Sequence, residues 1–284
     1  MISKQIVFCL ALGVLCLQAK SVSATVQMAE LRYESKFTEP GSSHTEEFTL
    51  GIILTLYSEI GETPAGPQHA YVYETELGAL VSKIKLEKTK TEPISKDTFV
   101  VACEKAKQGL IKTVYKGHIG VMRMINGYTI YWNHLELHDP MVNIDPTEIV
   151  DGVTLKAQVP DPGEKLISTP SFSNLINPNQ CADGLNRLNI GLANDQADGS
   201  LHFIKVSNGL SSKMMESGGL EKMPIARSQV EDRPLGEVKL NWDKKNNTVE
   251  INGGSPGKYL AVAEIKSQDN STCSSQVLFI FNFK

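Results

Sequence analysis

The sequence predicts an all-β protein built as two tandem antiparallel β-sandwich domains, on three observations. Apolar and polar residues alternate at period two in segment after segment, first at Phe48, Leu50, Ile52, Leu54 and Leu56 with Glu47, Thr49 and Thr55 opposite, the repeat of a half-buried strand. No segment carries a convincing amphipathic-helix repeat. Clusters of Gly, Pro, Asn and Ser separate the alternating segments and supply turns.

In chain order, residues 1–24 read as a signal peptide: Lys4 near the start, an apolar stretch from Ile6 to Leu17, then Val22-Ser23-Ala24 with small residues before the cut. Cleavage after Ala24 is expected, giving a mature N-terminus at Thr25. The apolar stretch is well short of the roughly 20 residues that span a bilayer, and no later segment reaches that length, so no transmembrane segment is expected after cleavage. Export places the mature chain outside the cytoplasm, as a secreted, cell-surface or periplasmic protein.

The first domain is expected over 25–160. After the 48–56 strand, Gly61 to Pro67 form a turn, and strands are read at His69 to Glu74, Leu80 to Leu86, Thr98 to Cys103, Ile111 to Val121, Tyr128 to Leu137 and Val153 to Val159. In the Leu80–Leu86 strand, Leu80, Ile84 and Leu86 point inward and Lys83, Lys85 and Glu87 outward. Pro160-Asp161-Pro162-Gly163 opens a linker over 161–167. The second domain, Ig-like or cadherin-like, is expected over 168–284, with strands at Leu188 to Leu192, Leu201 to Val206, Gly236 to Trp242, Thr248 to Asn252, Tyr259 to Ile265 and Gln276 to Phe283. The last sets Val277, Phe279, Phe281 and Phe283 on one face and reads as a core strand able to form a sheet edge. The Ser-, Gly- and Met-rich stretch 207–234 has no period and reads as a long loop.

A formal charge of −4 with scattered Lys and Arg argues against a nucleic-acid partner. Of five cysteines, Cys9 and Cys16 leave with the signal; Cys103, Cys181 and Cys273 remain. They allow one disulfide by any of three pairings.

The order of several short motifs resembles the paired β-sandwich modules at the front of large secreted surface proteins of the gliding-motility type in Bacteroidota. The residues that carry this are Leu54-Thr55-Leu56-Tyr57 followed by Glu59, Gly61 and Pro64; Val100-Val101-Ala102-Cys103; Tyr128-Thr129-Ile130-Tyr131-Trp132; Thr169-Pro170-Ser171-Phe172 with Cys181 soon after; Asp198-Gly199-Ser200-Leu201; and Gly257 through Ala263. The resemblance implies tandem Ig/PKD/cadherin-like modules and a surface role. The family's cysteine after the L-T-L-Y strand is Ile60 here. This leaves Cys103 without the partner the family supplies, and so favours a Cys181–Cys273 bridge.

Two clusters have ligand chemistry. His134 and His138, with Glu136 between them, would share a face of a strand some 13 Å apart at about 3.3 Å per residue, too far to chelate one ion; they read as a solvated strand end, with His118 a further histidine in the same half. Asp195 and Asp198, in Asn194-Asp195-Gln196-Ala197-Asp198-Gly199, offer oxygen ligands beside a Gly bend, the pattern of a calcium loop, though an ordinary Asx turn fits them as well. Calcium is thus the one candidate ion, and no other cofactor is expected. No nucleophile motif stands in the sequence. The expected function is a non-catalytic secreted or surface module, adhesive or structural, recognising a protein or glycan partner; the alternative is a secreted hydrolase whose site converges from distant strands.

Overall fold

The computed structural model describes residues 26–37, 47–62, 66–98, 108–133, 140–145, 147, 152–161, 168–169, 171–172, 179–182, 185–189, 192–193, 200–208, 212–217, 235–243, 248–252, 254–266 and 273–284. The expected signal peptide lies outside them, as do Cys103, His134, His138, Asp195 and Asp198.

The fold is all-β, as the alternation predicts. The first seven strands are β1 (Val26–Phe37), β2 (Glu47–Glu59), β3 (Gln68–Glu74), β4 (Leu80–Ile94), β5 (Leu110–Met122), β6 (Tyr128–Asn133) and β7 (Val153–Val159). Short strands follow: β8 (Ser171–Phe172), β9 (Asn179–Gln180), β10 (Leu185–Asn189), β11 (Leu192–Ala193), β12 (Ser200–Ile204) and β13 (Ser207–Asn208). One helical turn, α1 (Ser212–Glu216), precedes β14 (Lys239–Asp243), β15 (Thr248–Asn252), β16 (Gly257–Lys266) and β17 (Ser274–Phe283).

Eight strands close on themselves in the order β1-β2-β5-β4-β3-β6-β7-β17, every neighbour antiparallel, into a barrel-like arrangement. Closure rests on β17, which pairs with β7 at Ser274 and Ser275 and with β1 at Val277 to Phe279. Beyond the barrel the sheet continues from β17 to β16 and β12. The alternation read in β2 places Phe48, Leu50, Ile52, Leu54 and Leu56 inside, where they meet Leu31 and Tyr33 of β1, Tyr115 of β5, Ile130 and Trp132 of β6 and Leu155 of β7. Inside, the Trp132 indole N–H donates to Gln68 Oε1 at 3.3 Å, giving the buried indole the partner it needs. The interior is apolar while the outward face of β4 carries Lys83, Lys85, Glu87 and Lys90, the reverse of a membrane-spanning barrel.

A second core lies outside the barrel. The three-stranded sheet β10-β15-β14, with the turn before it, lays Leu235, Val238, Val249 and Ile251 over Tyr259, Ala261 and Ala263 of β16 and Phe279, Phe281 and Phe283 of β17. A third, smaller cover is α1, whose Met215 is fully buried against Tyr71, Tyr73 and Tyr131 on the outside of β3 and β6.

This arrangement corrects four expectations. The sheet does not stop at the 161–167 linker: β17, from the expected second domain, completes the barrel made by the first, and the small sheet β10-β15-β14 packs on that barrel strand and on β16. On either side of the linker the chain is tied to the barrel. Arg123 forms a two-point ion pair with Asp161 at 3.1 and 3.2 Å, and the Thr169 N–H donates to the Tyr33 carbonyl at 3.1 Å. Secondly, β17 is not an edge. It has β16 along one side and β7, β1 and β9 in turn along the other, and both its faces are buried. Thirdly, Leu80 packs with the tyrosines outside the barrel, because a bulge between Val72 and Tyr73 shifts the β3–β4 register there. Fourthly, Cys273 is a free, buried thiol while Cys181 is disulfide-bonded, so the Cys181–Cys273 bridge is not formed. Cys273 sits at the start of β17 in the barrel core with the Tyr33 hydroxyl 3.0 Å from its sulfur. Cys181 lies past β9, outside that core.

Candidate functional site

The barrel end formed by the β3–β4 turn and the β5–β6 loop is built by local rules. Glu74 ends β3 with its carboxylate turned back onto the chain, accepting the N–H of Glu76 at 3.2 Å and of Leu77 at 2.9 Å. Gly78, at φ 62°, completes the turn, and its N–H donates to the Glu74 carbonyl at 3.0 Å. In the neighbouring loop Gly127, at φ 63°, donates to the Met124 carbonyl at 2.9 Å; a Cβ there would collide with the Val159 carbonyl. The two loops are joined: the Thr75 N–H donates to the Gly127 carbonyl at 3.1 Å, and the Asn126 amide to Glu76 Oε2 at 2.8 Å.

Between these loops and the end of β7 opens a cavity of about 330 Å³, lined by Thr75, Glu76, Ile125, Asn126, Gln158 and Pro160 among others. That is the lower end of the range for small-molecule sites. Its lining carries one carboxylate, two amides and the hydroxyl-bearing Thr75 and Tyr128 beside apolar surface. Such a set can hydrogen-bond a sugar or a peptide segment. It is not the pair of convergent acids that glycoside cleavage uses.

Two titratable groups of the barrel core, Tyr33 and Cys273, are held in their neutral forms. Burial, reinforced by Cys273, pushes the Tyr33 hydroxyl far above its ordinary pKa, and burial likewise raises the Cys273 thiol against the lowering effect of the Tyr33 hydrogen bond. A protonated thiol inside a core is a poor nucleophile. On the outer wall, burial first and then Tyr71, Tyr131 and Glu216 push Tyr73 up to about 12; its hydroxyl donates to the Met215 carbonyl of α1. Beside it Lys83 lies 5.5 Å from the centre of the Tyr71 ring and 2.7 Å from Glu216 of α1. His69 is held below the ordinary histidine value by partial burial, then by Lys83 and Lys85.

Of the residues singled out by sequence, His118 stands exposed on the outward face of β5, opposite Gly51 of β2. Between β5 and β6, the strand that leads toward His134 and His138, lie β4 and β3. At about 4.8 Å per strand that is roughly 14 Å around the wall. Among the described residues no three His, Cys, Asp or Glu side chains are grouped to hold a metal ion. The sequence reading passed over Leu77 and Ile125. The available signal was a bulky apolar residue at the tip of a Gly-containing turn, where polar residues are usual.

Comparison with known protein families, with characterised proteins and with solved structures finds no match.

Proposed function

We propose that the mature chain is a non-catalytic binding or structural module of the cell surface, envelope or secreted fraction, which recognises a protein or glycan partner with its outside. One observation carries this reading: the barrel is filled. Trp132, Tyr33, Tyr115 and Phe48 are each at most 1% exposed and occupy its interior, so recognition falls to the rim and outer walls. The export signal read in residues 1–24 supports a partner outside the cytoplasm. The rim cavity, with amide and hydroxyl groups beside Ile125, suits hydrogen-bonded recognition. Calcium at Asp195 and Asp198 is part of the proposal as a structural ion.

The test is capture of the mature protein's partner from cell-surface extract with and without calcium, alongside a glycan array and a panel of hydrolase substrates. Saturable binding without turnover is expected, weakened by Asn126→Ala at the cavity. Turnover abolished by a single His or Glu substitution would replace this reading with the hydrolase one. Calcium binding by calorimetry that survives removal of both Asp195 and Asp198 would dismiss those residues as ligands.

A further inference from the structure

Among the described residues seven large apolar side chains are exposed, and five of them, Leu77, Val81, Met122, Met124 and Ile125, stand at one end of the barrel. Leu77 is 79% exposed and Ile125 92%. Turn tips in water favour polar residues, and a concentration of apolar ones marks a contact surface. From this geometry we infer that the rim docks on a lipid bilayer, inserting the tips of the β3–β4 turn and the β5–β6 loop into the interface. The inference goes beyond the protein-or-glycan reading and stands independently of it.

Two features favour a bilayer over a protein. The first is extent. The tips are two narrow turns, fixed by Gly78 and Gly127 and tied to each other by the Asn126–Glu76 bond, that carry Leu77 and Ile125, the most exposed of these apolar side chains. Five such side chains fall short of the roughly 800 Å² per partner that a standard protein interface buries. A bilayer demands no matching surface, only apolar side chains that reach it.

The second is the order of chemistry down the wall. On β4 the outward file runs from Leu77 in the turn to Val81, Lys83 and Lys85; on β5 it runs from Ile125 in the loop to Met122, Gly120, His118 and Lys116. Both pass from apolar at the tip to basic below. At about 3.3 Å per residue Lys83 lies roughly 7 Å below Val81, within the headgroup layer of about 5–8 Å when the tips enter the acyl boundary, and Lys85, roughly 13 Å below, reaches toward it with its long side chain. Lys83 and Lys85 are engaged by Glu216 at 2.7 Å and Glu87 at 2.6 Å. Pairs this exposed contribute little and can give way to phosphate. Carboxylates also stand at this end: Glu76, held by Asn126, and Glu47, opposite Met122. Apolar insertion is therefore the main attraction and charge the lesser one.

The experiment is co-flotation of the mature protein with vesicles of phosphatidylcholine alone and of phosphatidylcholine with phosphatidylglycerol. Wild type is expected to float with both, more strongly with the second. Leu77→Asp with Ile125→Asp should reduce binding to both by tenfold or more, with the thermal melt unchanged because both side chains are in solvent. Lys83→Gln with Lys85→Gln should cost roughly fivefold per lysine on phosphatidylglycerol vesicles and little on neutral ones. Failure of wild type to float overturns the inference. So does flotation indifferent to the tip substitutions, or a concentration-dependent dimer that those substitutions abolish, which would make the rim a protein interface.

Discussion

On β17 the outward residues Val277, Phe279, Phe281 and Phe283 lie beneath the three-stranded sheet, whereas on β4 of the same barrel the outward Lys83, Lys85, Glu87 and Lys90 stand in water. The inward faces of the two strands do the same work: Leu278 and Ile280 on one, Leu86 and Ile84 on the other, pack in the barrel core. What differs is the second layer. A strand covered on both sides becomes a near-continuous apolar run, as in Val277-Leu278-Phe279-Ile280-Phe281; a strand covered on one side keeps strict alternation. The composition of a strand's second face thus reports what lies over it, and the bare β4–β5 wall leads straight up to the apolar rim.

The largest test of this contrast is Phe281→Ala. Its ring is 1% exposed and stacks on Phe279 at 5.5 Å. Its loss should cost about 3–5 kcal/mol in chemical denaturation, while Thr89→Ala on the bare wall should stay within about 0.5 kcal/mol. Equal costs would mean that the small sheet does not cover β17.

Next in size is the cross-link. With Cys273 free and Cys181 bonded, Cys103 is the remaining cysteine beyond the expected signal peptide, and non-reducing peptide mapping is expected to join Cys103 to Cys181. The side chain of Asn179, two residues before Cys181, donates to Gln108 at 3.1 Å, only five residues beyond Cys103. Cys181→Ser should cost about 2–4 kcal/mol, and Cys273→Ala should leave the bridge intact. A bridge to Cys273 would overturn the account of the core around Tyr33.

The smallest effect belongs to the bare wall. Glu92 is held below the ordinary carboxylate range, first by Lys90 and then by Lys112, whose ammonium is 3.5 Å away. A carboxyl depressed in the folded state adds stability above its unfolded pKa of about 4.3 and loses it as pH falls through the folded value. The melting difference between wild type and Glu92→Gln should therefore be present at neutral pH, shrink with added salt and vanish in strong acid. A difference that survives acid would assign Glu92 a role other than this ion pair.

Much of the barrel was legible before the structure. Period two in β2 named its inward residues, and Lys83, Lys85 and Glu87 were read outward correctly. β1 is harder to read although Ala29, Leu31 and Tyr33 alternate with Glu30, Arg32 and Glu34, because it begins two residues after the expected cleavage site with no Gly or Pro turn residue to set it off from the signal segment. The closure was not legible at all. Pairing of Glu30 with Val277 leaves no mark in local sequence, and a Pro-rich stretch at 160–163 reads the same whether it joins two domains or skirts one. The rim was legible only in part: Glu-Leu-Gly and Met-Ile-Asn-Gly show apolar residues in turns, but that they meet at one barrel end depends on a strand order in which β5 returns to β2 and β6 to β3.

The place of β17 sets a timetable for synthesis. The gap between β7 and β1 is filled by a strand that leaves the ribosome more than a hundred residues after β7 is complete. At about 5–20 residues per second, that delay is roughly 6–25 s. During it the first seven strands have no seventh-to-first partner, and the apolar face of an open, unfinished sheet is available to any neighbour. Contacts this distant in sequence also form slowly once the chain is whole.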